Sequence, residues 1–146
     1  MLENLGDDRW RSILDVHDDT ARRLIAVHGG RMIKTTGDGV LATFDGPGRA
    51  IRFATDFGAQ IASLGVHLRT GIHTGEIEMR GDDVGGMAVH LAARIMGLAG
   101  TDEILVSRTV TDLVVGSDLA FEDRGVHQLK GIQGEWPLLA VRQGGG

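Results

Sequence analysis

The apolar positions along this chain change period several times, and each change marks an element. From Leu5 to Gly30, Trp10, Ile13, Leu14, His17, Ala21, Leu24 and Ile25 recur at spacings of three and four. That spacing puts them on one face of a helix. Asp7 or Asp8 can cap its start, and Gly29-Gly30 can stop it. Two β-prone runs follow, RMIKTT and GVLATF, joined through Gly37-Asp38-Gly39. Asp-Gly between such runs predicts a hairpin. A second helix is expected from about Gly48 to Ser63, with Ala50, Ile51, Ala54, Phe57, Gly58 and Ile61 facing inward. VHLRTGIHTGEIEMRG alternates and reads as a long strand or a hairpin bending near Gly75. MAVHLAARIMGLAG predicts a third helix, ended by Gly97 or Gly100. EILVS then reads as a short buried strand, RTVTDLVV as a short helix, and LAFEDRGVHQLKGIQGEWPLLAV as two or three closing strands.

Helices interleaved with hairpins predict an α+β fold, a sheet with helices packed on one side. No internal repeat, linker or low-complexity segment divides the chain. Its 146 residues suit one domain, residues 1–142, with 143–146 expected to be a disordered tail.

Composition narrows the chemistry. Hydrophobic residues make up 42%, enough for a core, but aromatics only 4% and Tyr is absent, so the core must be aliphatic. The net charge of −5 argues against nucleic acid as the main partner, because phosphate binding wants a basic face. With no cysteine, disulfides, thiolate catalysis and Cys-type zinc sites are excluded. No signal-like or membrane-spanning apolar run is present, so a cytoplasmic protein is expected.

Asp38 is the first candidate for chemistry. Turning the hairpin would account for it alone. Lys34, however, lies four residues earlier on the entering strand, RTGIHTGEIEMRGDDVGG precedes a helix carrying AVHLAAR, and HQLKG near the end places Lys130 before a glycine. Arg69, His73 and Glu76, with His67 able to share a strand face with His73, lack a third nearby soft ligand, which disfavours zinc. Trp10 and Trp136 are expected to pack rather than to stack on a base.

KTTGDG, RTGIHTGE and AVH-AAR, in this order and spacing, resemble the catalytic domain of class III nucleotide cyclases, from about Leu5 to Val141. The resemblance implies a ferredoxin-like sheet of mainly antiparallel strands and a head-to-tail pair of domains with the sites between them. It implies an adenylate cyclase: the ribose 3′-hydroxyl of ATP attacks the α-phosphate, giving 3′,5′-cyclic AMP and pyrophosphate. Two divalent ions, Mg²⁺ or Mn²⁺, are expected, since hard oxygen ligands suit them and two metals can bridge attacking and leaving oxygens. Asp38 matches a metal-binding Asp of the family. Lys34 and Asp83, with Asp82 as the alternative, match the pair that selects the base. His90 matches the ribose-orienting position, where the best-known members have Asn. Arg94 matches the transition-state position, and Lys130 the lysine that holds the terminal phosphates.

One family feature has no counterpart here. The strand that normally opens the domain, with the other metal Asp and a phosphate-cradling turn, would precede MLENLGDDRW. The alternative expectation is therefore a catalytically impaired cyclase-like module that binds nucleotide or another cyclase domain.

Overall fold

A computed structural model describes residues 2–36, 39–81 and 83–142. Helix α1 (Leu2–Val27) comes first. It starts ahead of Asp7 and Asp8, which therefore lie inside the helix rather than capping it. The single Gly6 inside it costs only about 1 kcal/mol. Burial begins at His17 and continues through Ala21, Leu24 and Ile25, while Trp10 stands half-exposed. These residues meet Phe53, Phe57 and Ile61 of α2 (Pro47–Ala62). The His17 ring sits 5.1 Å from that of Phe57.

Gly29, at φ +73°, stops α1 in the left-handed conformation that a Cβ disfavours. Strands β1 (Gly30–Thr36) and β2 (Gly39–Phe44) then pair antiparallel, from Gly30↔Phe44 to Thr36↔Gly39, with an irregularity between Met32 and Lys34. Met32, Val40, Ala42 and Phe44 pack this hairpin on α1 and α2.

The stretch expected to bend near Gly75 is divided differently. Only β3 (Thr70–Ile72) joins the main sheet, in parallel with β6 (Ile104–Ser107). The hairpin forms later, from β4 (Glu78–Arg80) and β5 (Asp83–Gly85), and Gly81 at φ +63° helps turn it. Asp83 is thus a strand residue.

Helices α3 (Met87–Leu98) and α4 (Arg108–Leu113) and strands β7 (Phe121–His127) and β8 (Trp136–Val141) complete the fold. The main sheet has the order β3-β6-β8-β7. Its two faces are covered by different helices, which corrects the one-sided expectation. Ile72, Ile104, Val106 and Val141 pack with Ile51 and Ala54 of α2 and Val110 of α4. Leu105, Leu138 and Ala140 pack with Leu91, Ile95 and Ala99 around α3. The split follows the pleat, since neighbours along a strand point to opposite faces. All four residues of β6 are consequently buried, as expected of a strand covered on both sides. Gly71 lets α3 approach closely: a Cβ there would collide with the Met96 amide and the Ala92 carbonyl.

Candidate active site

Lys34 and Asp83 come from separate hairpins, 49 residues apart, and meet. Lys34 Nζ donates to Asp83 Oδ2 at 3.1 Å, and both side chains are about half exposed (49% and 50%). The other carboxylate oxygen, Oδ1, accepts the Val84 amide N–H at 2.8 Å. The Val84 bond, the Lys34 bond and the charges of Lys34 and Arg80 hold the Asp83 carboxyl below the usual range, in that order of weight. Arg80 faces Asp83 across the β4–β5 ladder. The pair is an ionised donor–acceptor couple with spare capacity, since an ammonium keeps two further donors and the carboxylate further lone pairs.

Three residues after Asp83, Gly86 at φ +112° leads the chain into α3. His90 donates its amide to the Gly86 carbonyl at 3.3 Å. His90 and Arg94 remain exposed while Leu91 and Ile95 turn into the core. The β7–β8 connection is pinned by Leu129, buried against α3. Gly131, at φ +78°, then turns the chain, and the Ile132 amide bonds the Leu129 carbonyl at 3.0 Å. A Cβ on Gly131 would lie 3.9 Å from His90 Nε2, so the imidazole faces the Lys130–Gly131 turn. Lys130 itself is exposed and lines a depression with Gln128, Leu129, Gly131, Ile132 and Gly134.

The structure thus joins Lys34 to Asp83 and His90 to the Lys130 turn. Arg94 sits one turn past His90 and makes no hydrogen bond or ion pair among the described residues. Asp38 and Asp82 lie outside the described residues, as do residues 143–146. Among the described residues no three His, Asp or Glu side chains gather closely enough to hold a metal ion. His67 and His73 are engaged separately, His67 Nδ1 with Asp102 at 2.8 Å and His73 Nδ1 with Ser107 Oγ at 2.7 Å.

Sequence reasoning missed the His73–Ser107 contact. Burial lowers the His73 pKa, and its ring meets Trp136 edge-on at 6.1 Å. The parallel register Ile72↔Val106 sets the next residues, 73 and 107, side by side, and a parallel pairing between distant segments leaves no local signal. Trp136 packs half-buried against the α3 side, as expected.

No protein-family model matches the chain. Curated relatives do. A Rhizobium meliloti (strain 1021) protein with the provisional name adenylate cyclase 3 is 31% identical over 134 residues, covering 86% of this chain and 22% of the relative. The adenylate cyclase of Streptomyces coelicolor (strain ATCC BAA-471 / A3(2) / M145) is 32% identical over 117 residues, covering 79% of this chain and 31% of its own length. This chain thus spans less than a third of either relative. Among solved structures, the adenylate/guanylate cyclase/hydrolase from Silicibacter pomeroyi superposes with a TM-score of 0.73 at 28% identity, covering 97% of this chain and 85% of that one. This chain belongs to the class III nucleotide cyclase family. The α+β expectation holds, and the residues paired above sit within a cyclase catalytic domain fold. No helix among the described residues is long and apolar enough to cross a membrane.

Proposed function

We propose that this cyclase domain acts on ATP, forming 3′,5′-cyclic AMP and pyrophosphate in a head-to-tail pair of domains. The observation that carries the reading is the Lys34–Asp83 couple, already assembled at 3.1 Å. Adenine offers a ring-nitrogen acceptor beside an exocyclic amine donor. Lys34 supplies the donor and Asp83 the acceptor. Guanine reverses the pattern at the same edge and would leave groups unpaired, which is the strongest form of discrimination a polar site has.

The other side chains take roles set by their chemistry. His90 orients the ribose. The 3′-hydroxyl loses its proton as the O3′–Pα bond forms and the bond from Pα to the bridging oxygen breaks, so pyrophosphate leaves with the electron pair. Arg94 faces the charge that gathers on the α-phosphoryl group, a task suited to a planar guanidinium that has no ion-pair partner among the described residues. Lys130 holds the terminal phosphates. The Mg²⁺ or Mn²⁺ implied by the family would fall to Asp38 and to ligands outside the described residues. The described residues by themselves offer no metal-holding set.

The test mixes the chain with a class III adenylate cyclase domain disabled only at its own base-selecting, arginine and phosphate-lysine positions, then measures cyclic AMP from ATP and cyclic GMP from GTP with Mn²⁺. Rescue with ATP favoured at least about tenfold, and that preference lost in Lys34→Ala, is the expected result. No rescue, or a preference for GTP, overturns the reading.

A further inference from the structure

The β4–β5 hairpin carries an ion pair that the chemistry above does not use. Arg80 Nη2 donates to Glu78 Oε2 at 2.9 Å, and both side chains are exposed. Such a pair contributes little to stability. Its position gives it another use. In the ladder Arg80 lies opposite Asp83, and Glu78 lies opposite Gly85. Residues two apart on a strand share a face, and directly opposed residues share it too. One face of the hairpin therefore presents Glu78, Arg80, Asp83 and Gly85 as the corners of a square.

Arg80 thus has a carboxylate on each side and bonds one of them. The Asp83 oxygens accept from the Lys34 ammonium and the Val84 amide. Arg80 reaches Asp83 through its charge, the last-ranked influence on that carboxyl, and through no hydrogen bond. Gly85 accounts for the choice. A Cβ there would lie 2.8 Å from Arg80 Cζ and 3.0 Å from Nε. The guanidinium therefore occupies the space that a side chain at 85 would fill, on the diagonal away from Asp83, and Glu78 fastens it there. Released from both, it would turn to the carboxylate opposite, because a guanidinium pairs with a carboxylate through two parallel bonds. That pairing would take up the lone pairs that a base would need.

We propose that Glu78 and Gly85 park Arg80 away from Asp83, and so keep that carboxylate open to the exocyclic amine of adenine. Glu78 is a positioning residue, acting through Arg80 and touching no part of the nucleotide. The inference rests on the reading of Lys34–Asp83 as the base-selecting couple.

The test repeats the rescue assay over a range of ATP concentrations with Glu78→Ala, Gly85→Ala and the double variant Glu78→Ala/Arg80→Ala. Glu78→Ala is expected to raise KM for ATP about three- to fivefold with kcat unchanged, the size of effect an exposed competing ion pair can exert. Gly85→Ala, whose Cβ displaces the end of a flexible side chain, should do the same. The double variant should return KM to its starting value. In the chain alone, carbon-detected NMR should show the Asp83 midpoint falling in Glu78→Ala, since a new guanidinium bond favours the charged form, and recovering in the double variant. An unchanged KM, a fall in kcat instead, or no recovery without Arg80 overturns the proposal. Absence of rescue by the unsubstituted chain is a failure of the proposed function. The titration needs no nucleotide and then decides alone: a fall reversed by removing Arg80 upholds the parking of Arg80, and an unmoved midpoint overturns it.

Discussion

Asp83 shows how much one side chain's behaviour depends on what it touches. Its carboxylate is solvent-facing, yet the Val84 amide and Lys34 favour its charged form. The folded-state pKa is therefore depressed, and the Lys34–Asp83 pairing it stabilises is fully present above the ordinary carboxylate value. It is lost only as pH falls through the lowered folded value. The expected outcome is an Asp83 side-chain carboxyl that titrates, by carbon-detected NMR, below its ordinary value of 3.8. Removal of the second-ranked partner in Lys34→Ala should move it part of the way back, because the Val84 bond remains. A midpoint unmoved by Lys34→Ala would show that the pair does not persist in solution. Lys34 was legible as a candidate from KTTGDG, but its contact was not, because 49 residues separate the partners.

Elements here are fixed by close approach as much as by propensity. Gly71 sits where β3 passes beneath α3, and any side chain there meets the α3 backbone rather than a movable group. Gly58, inside α2, has open space around its Cβ position. The two glycines should respond with opposite signs. Gly71→Val is expected to destabilise by roughly 3 kcal/mol or more, as overpacking against backbone does. Gly58→Ala should stabilise by about 0.5–1 kcal/mol through helix propensity. Urea midpoints of the two variants check both. Equal tolerance at the two positions would contradict the packing described. Nothing in the residues next to Gly71 or Gly58 tells the two apart, since the crowding at Gly71 comes from Ala92 and Met96 of α3, distant along the chain.

For the molecule as a whole, the consequence is uneven stability. The strands of the main sheet share both cores, with β6 buried throughout and Leu138 and Val106 fully inaccessible. Among the described residues the β1–β2 hairpin has no ladder to that sheet, and it rests on α1 and α2. An exposed ion pair such as Lys34–Asp83 adds little to hold it. Native-state amide exchange should therefore show β6 and β8 opening only with global unfolding, and β1 and β2 opening by a cheaper local route. A single opening free energy for all four strands would refute this.

Much of the architecture was written locally. Periods of three to four and of two placed α2, α3, β1, β2 and β6 within a residue or two, because an amphipathic element carries its own pattern. The motifs also singled out Lys34, Asp83, His90, Arg94 and Lys130 as candidates. What lay beyond the sequence was everything that depends on which segments meet. The parallel pairing of β3 with β6, the later hairpin at Gly81, the helices on both faces of the sheet and the His73–Ser107 contact all join residues distant along the chain. Hydrophobic period states that a face will be buried. It cannot state against what, because that choice is made by the packing of the whole chain.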